Sequence, residues 1–171
     1  SFSFIFIMTN NVTFWFTGLP CSGKSSISTK LLKKIKKPCV ILDGDVLRQG
    51  LSADLDFSEK GRYENVRRVA HLSKLLMQQG VIPIVAILAP LNSHRKLARD
   101  IIGDAMKVIY LDVDLSVCEK RDVKGMYHEA RRGKITNYTG IDSPFDVPDY
   151  PDIILNTEIL SIDECINIIT D

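Results

Sequence analysis

Gly18-Leu19-Pro20-Cys21-Ser22-Gly23-Lys24-Ser25 fits the spacing G-x-x-x-x-G-K-[ST] at every fixed position. Residues 12–17 before it are β-branched and aromatic and read as a strand. Residues 26–36 after it place Ile27, Leu31, Leu32 and Ile35 at helical spacing. Strand, glycine loop and helix together form a cradle for phosphate: Gly18 and Gly23 let the backbone curl so that successive N–H groups point inward, and the helix N-terminus adds partial positive charge. Leu19, Pro20, Cys21, Ser22 and Ser26 complete the expected nucleotide-binding loop. In this context Lys24 is expected at the β- and γ-phosphates of ATP and the Ser25 hydroxyl on Mg2+. Cys21, among those N–H groups and near Lys24, is a candidate for modification.

Outward from the loop, short apolar runs alternate with helical patterns. Strands are expected at 39–42, 81–88, 108–111 and 153–155, and helices at 59–79, 92–104 and 115–121. Gly80 ends the long helix, and Ser161 with Glu164 is a capping box opening a last helix to residue 169. This rhythm predicts an α/β three-layer sandwich: a five-stranded parallel sheet with helices on both faces. Residues 1–11 are set aside as an N-terminal extension, and 12–171 are expected to be a single domain. Met8 is a candidate start, and the alternating pattern of residues 1–7 suggests an extra edge strand.

Residues 122–151 break the rhythm. They hold three glycines and three prolines, with Lys124, Arg131, Arg132 and Lys134. Beside a phosphate cradle, a basic, glycine-punctuated segment reads as a lid that closes over phosphates and excludes water.

Charge and cysteine usage narrow the class. With 22 basic and 21 acidic residues the chain has no field for a nucleic-acid polymer. Cys21, Cys39, Cys118 and Cys165 are scattered, without metal-ligand spacing, and read as reduced thiols of a cytoplasmic protein. No apolar run reaches the ~20 residues that span a bilayer. The partner expected is a small-molecule nucleotide, and a homodimer is compatible with the sequence.

Asp43-Gly44-Asp45 follows the second strand, where ligands sit in open parallel sheets. One carboxylate can order magnesium waters and the other can accept a proton from an attacking hydroxyl, with Asp also favoured as a helix N-cap. Arg62 and Asn65 share a helix face near its N-terminus, where a guanidinium can grip a phosphate or sulfate. Phe57 beside them is a candidate platform for a base. Arg67 and Arg68 point elsewhere, with a surface acid as the expected partner for one of them.

Taken together, these stretches resemble the adenylylsulfate (APS) kinase family. The resemblance runs from about residue 12 to 157. It rests on GLPCSGKSS at 18–26, LDGDVLRQGL at 42–51, DLDFSEKGRYENVRRVA at 54–70, VCEKRDVKGMYHEARRGKI at 117–135 and NYTGIDSPFDVP at 137–148. It implies an enzyme that uses ATP and Mg2+ to phosphorylate the ribose 3′-hydroxyl of adenylylsulfate, giving 3′-phosphoadenylylsulfate by direct in-line transfer. It places magnesium near Ser25 and Asp43, Asp45 at the 3′-hydroxyl, and Arg48, Arg62 and Asn65 on the acceptor. It further implies a base sandwich of Phe57 and Tyr138, Lys124 reaching from the lid to the anionic groups, and Arg121 and Thr157 near the ATP adenine. The catalytic set is then Lys24, Asp45 and Lys124.

Three positions depart from the family pattern. Ala89 stands for a serine sometimes assigned as a phosphorylated intermediate, which excludes a phosphoenzyme there. Asn92 stands for an arginine and Val46 for an asparagine. The expectation is a less cationic acceptor wall with ATP binding intact, which keeps in view the same chemistry on another nucleotide such as cytidine diphosphoramidate; a third reading, a nucleotide-binding regulator without turnover, is opposed by the retention of Lys24, Ser25, Asp43 and Asp45.

Overall fold

A computed structural model describes residues 11–171; the edge strand suggested for residues 1–7 lies outside them. Five strands form one sheet: β1 (Thr13–Thr17), β2 (Cys39–Asp43), β3 (Ile82–Ala86), β4 (Met106–Leu111) and β5 (Ile153–Leu155). Their order is β2-β3-β1-β4-β5, and every pairing is parallel. β1 therefore lies between β3 and β4, so the chain leaves it on one side and later returns on the other. That switch opens a crevice at the carboxyl end of β1, directly above Gly18.

The helices are α1 (Lys24–Lys34), α2 (Gly44–Leu47), α3 (Glu59–Gln78), α4 (Asn92–Ile102), α5 (Leu115–Arg121), α6 (Met126–Arg131) and α7 (Ile162–Thr170). Side chains alternate across the sheet and separate two cores. Phe14 and Phe16 point to the face covered by Ile27 and Leu31 of α1 and Ile166 and Ile169 of α7. Trp15 points to the other face, against Val66 and Val69 of α3 and Ala98 and Ile102 of α4. Phe16 is fully buried, and cutting it to Ala would cost about 3–5 kcal/mol. The sequence thus predicts the layers and strands correctly.

Helix ends follow the expected chemistry. α3 ends in a Schellman motif: Gly80 has φ 76° and donates to Met77 O, while Val81 donates to Leu76 O. The Ser161–Glu164 capping box is present at α7. α1 starts two residues before the expected helix, because Gly23 at φ 109° makes the turn.

Residues 122–151 differ from a structureless lid. They contain α6, whose Tyr127 is completely buried and joins a small core with Val113 and Cys118. Tyr127 donates its hydroxyl to Pro20 O at 2.8 Å, tying this segment to the phosphate loop, and burial pushes its phenol pKa up. Three of the four cations of the segment are spent on nearby acids: Arg131 on Glu119, and Arg132 and Lys134 on Glu129. Only Lys124 turns toward the crevice. No helix of the described residues is long and apolar enough to cross a membrane.

Candidate active site

A cavity of about 660 Å³ occupies the crevice. Its walls come from the phosphate loop, from α2 and the start of α3, from the 122–151 segment, and from the start of α7. Pro20, Cys21, Gly23, Lys24, Ser25 and Ser26 line it from the loop. Asp43, Asp45, Arg48, Phe57, Arg62 and Asn65 line the second side, and Arg121, Lys124, Tyr138 and Thr157 the third. Gly18, Leu19 and Ser22 do not line it. They form the back of the loop, where Gly18 has no room for a side chain: a Cβ there would meet Ser22 Oγ at 2.6 Å and Leu111 O at 3.0 Å.

Lys24 folds over its own loop and donates to Gly18 O and Leu19 O, both at 2.8 Å. Burial lowers its pKa from 10.5 to about 8. Arg121 and Thr157 brace the loop from outside. Arg121 Nη1 donates to Cys21 O and Thr157 Oγ1 at 3.1 Å each, and Thr157 Oγ1 donates to Ser22 O at 2.6 Å. Near Thr157 the wall turns apolar through Leu160, Ile162 and Cys165, none of them a candidate site residue from the sequence. No motif marks them; only the fold brings α7 to this edge.

The two aspartates separate in role. Asp43 is the N-cap of α2: its Oδ1 accepts from Asp45 N at 2.9 Å and Val46 N at 3.2 Å. The cap is therefore Asp43 rather than Asp45, which the sequence had allowed. Asp45 faces the cavity and pairs with Lys124, and this bond raises the Lys124 pKa. Ser25 from the loop and Asp43 from the end of β2 bring two hard oxygen donors to the same cavity, a donor chemistry that suits Mg2+.

Farther along the side that holds Asp43 and Asp45, Phe57 is 55% exposed, an apolar ring left open to the cavity. Arg48 stacks on it with its guanidinium carbon 4.1 Å from the ring centroid and donates to Leu55 O at 3.0 Å. Arg62 is buried. Its Nε donates to Phe57 O at 2.9 Å, its Nη1 to Thr139 Oγ1 at 2.7 Å, and its Nη2 to Asn137 O. It ties residues 137–139 to the start of α3 rather than presenting a free fork. Asn65 is 2% exposed, and its Oδ1 has no partner among the described residues. A buried amide oxygen without a partner at a cavity wall calls for a donor from a ligand. Tyr138 packs edge-on against Tyr127 at 5.0 Å, and burial pushes its pKa up to about 12. Arg67 and Arg68 are both held by Glu64, whose pKa they lower to about 2, and Arg68 also pairs with Asp54.

The expected weakening of the acceptor wall is corrected. Ala89 is 1% exposed and packs in the α3–α4 core. Asn92 is engaged with residues 146–149, and neither residue lines the cavity. Val46 is 64% exposed. The departures from the family pattern therefore leave the lining intact.

The family model described as adenylylsulphate kinase matches residues 10–156. The chain belongs to the adenylylsulfate kinase family. It is 46% identical to the adenylyl-sulfate kinase of Bacteroides thetaiotaomicron over 162 residues, covering 92% of this chain and 81% of that protein. It is 44% identical to that of Paraburkholderia xenovorans over 153 residues, covering 88% and 86%. Among solved structures, the Mycobacterium tuberculosis APS kinase in complex with AMPPNP and APS superposes with TM-score 0.86 at 45% identity, covering 92% of this chain and 94% of that one.

Proposed function

We propose that this chain transfers the γ-phosphoryl group of ATP to the ribose 3′-hydroxyl of adenylylsulfate, giving ADP and 3′-phosphoadenylylsulfate. The single observation that carries this, in an adenylylsulfate kinase, is that one cavity joins the phosphate loop at Lys24 to the stacking and cationic groups of Phe57, Tyr138 and Arg48, with Asp45 between.

In this reading ATP phosphates lie on the loop N–H groups and Lys24 neutralises charge at the β/γ bridge. Arg121 and Thr157 keep the loop in shape. Ser25 and Asp43 would hold magnesium, which would supply charge neutralisation to the phosphates. The acceptor base lies between Phe57 and Tyr138, and Arg48 and Lys124 meet its anionic groups. Lys124 leaves Asp45 when those groups arrive. Asp45 then takes the 3′-hydroxyl proton as the new O–P bond forms and the bond from γ-phosphorus to the bridging oxygen breaks. Holding both substrates in line supplies much of the rate.

Initial rates of ADP formation with adenylylsulfate, a cytidine diphosphate analogue and no acceptor test this. Turnover with adenylylsulfate alone is expected; preference for the cytidine compound, or ATP hydrolysis indifferent to either, contradicts it.

A further inference from the structure

Two buried arginines, one from each helix of the α3–α4 pair, end on the same part of the lid. Arg62 of α3 holds Asn137 and Thr139, on either side of Tyr138. Arg95 of α4 is 5% exposed. Its Nη1 donates to Ala89 O at 2.7 Å and Thr17 Oγ1 at 3.3 Å, and its Nη2 to Asn92 Oδ1 at 2.8 Å and Asp146 O. Its guanidinium carbon lies 5.5 Å from the Phe145 ring centroid. Thr17 is the last residue of β1, next to Gly18. One side chain thus touches both the entry to the phosphate loop and the return limb of the lid.

The limb is seated by further bonds around Arg95. Asp146 N donates to Pro90 O at 2.7 Å, Asn92 N to Asp146 Oδ2 at 3.0 Å, and Asn92 Nδ2 to Val147 O at 3.2 Å. Asp149 N donates to Asn92 Oδ1 at 3.3 Å. From there the bonds run back to Tyr138. Gly140 N donates to Ser143 O at 2.9 Å and Ser143 N to Tyr138 O at 3.2 Å, while the Asp142 carboxylate accepts from Asn137 N and Tyr138 N.

We propose that Arg95 is a positioning residue for the acceptor: it fixes residues 145–149 to the end of β1 and so sets Tyr138 at its distance from the phosphate loop. The proposal rests on the reading of Tyr138 as one wall of the acceptor base site. The network needs a planar group with several donors in fixed directions, which a lysine ammonium does not reproduce. It also gives position 92 a role: a carboxamide there accepts from Arg95 and Asp149 and donates to Val147, three partners for one short side chain.

The test compares the full chain with Arg95→Met, Arg95→Lys and Asn92→Ala, reading KM for each substrate and hydrogen exchange of residues 136–149. For Arg95→Met the loss of charge-assisted bonds predicts a rise of roughly ten- to a hundredfold in KM for adenylylsulfate, with ATP KM nearly unchanged. Faster exchange is expected for the 145–149 amides but not for α7. Arg95→Lys should not rescue. If Arg95→Met does not fold, Asn92→Ala, on a half-buried residue, should show the same split at smaller size. An unchanged acceptor KM, an equal rise in both KM values, or retained protection of the limb overturns the proposal. Exchange is read without turnover, so an inactive unmodified protein would count against the reaction and not against the clamp.

Discussion

Lys124 of the lid is ion-paired with Asp45 at the carboxyl end of β2, across 79 positions of sequence. Both side chains are about two-thirds exposed, at 67% and 70%. Pairs so exposed contribute ~0–1 kcal/mol to stability. Lys124→Ala should therefore leave Tm almost unchanged. Its loss should appear in turnover, as a fall on the order of 10²-fold in kcat/KM for adenylylsulfate, the size expected for one lost electrostatic donor. Parallel melting curves and initial rates decide this. A large drop in Tm with normal turnover would make the pair structural.

Asp45→Asn keeps the shape and removes the base. A fall of ~10²- to 10⁴-fold in kcat is expected, with ATP affinity changed far less. Asp43→Asn should behave differently. Asp43 caps α2 through Oδ1, so its variant should lose some stability and weaken nucleotide binding in magnesium. If Asp43→Asn alone abolishes turnover while Asp45→Asn is mild, the two roles are reversed.

Lys24 offers a proton count. With its pKa lowered to about 8 by burial, part of the population is neutral at pH 8. Bound phosphate favours the charged form and raises that pKa again, so binding at pH 8 should take up a fraction of a proton. Calorimetry in buffers of different ionisation enthalpy measures this directly. Uptake should fade at pH 6.5, where Lys24 is already charged, and vanish in Lys24→Ala along with turnover. Zero uptake at pH 8 in the unmodified protein would contradict the placement of phosphate at Lys24.

Cys21 lies in the cavity wall at φ 65°, partly accessible, while Cys118 and Cys165 are buried. An added group on its sulfur would fill space assigned to phosphate. Iodoacetamide should inactivate the enzyme at a rate that ATP slows, and Cys21→Ala should resist. Full activity after complete carbamidomethylation of Cys21 would contradict this.

His94 predicts a limit on the acid side. Its ring is fully buried, both nitrogens lack hydrogen-bond partners among the described residues, and Tyr63 packs edge-on at 6.0 Å. Burial lowers its pKa below 6.5; Glu59 and Asp146 oppose that shift, and Arg62 and Arg95 add to it. The unfolded chain therefore binds a proton that the folded chain refuses, and stability falls as pH drops below about 6.5. Denaturant melts from pH 5 to 7.5 should show this slope, and His94→Phe should flatten it. An equal slope in both proteins would remove His94 as its cause.

The layers and the phosphate loop are legible because each has a local signature: a period, a glycine pair, a cap; the strand order that opens the cleft has none. Asp45, Phe57 and Lys124, singled out from the residues or from the family resemblance, all line the cavity. What stayed hidden depends on contacts distant in sequence. Arg95 bonds to Thr17, 78 positions away, and Asp146, 51 away, through carbonyl and hydroxyl oxygens that carry no sequence signal. The cations of residues 131–134 looked aimed at phosphate, yet Glu119 and Glu129 claim them. Glycines at 125 and 133 suggested a loop and instead bracket α6, held by Tyr127 in the core. The resemblance to the family puts Ala89 and Asn92 on the acceptor wall, but Ala89 packs in the α3–α4 core and Asn92 is bonded to residues 146–149.

Direct transfer moves the γ-phosphoryl group of ATP to the 3′-oxygen of adenylylsulfate in one step. It is tested most directly by following ATP, adenylylsulfate and Mg2+ with the purified protein by 31P NMR, with initial rates over a grid of both substrates. One new monoester resonance coupled to the ribose 3′ proton is expected, formed in step with ADP, with intersecting double-reciprocal plots and no acid-stable phosphoprotein. A monoester at another position, parallel plots with a labelled protein, or ADP formed without any phosphorylated acceptor would contradict it.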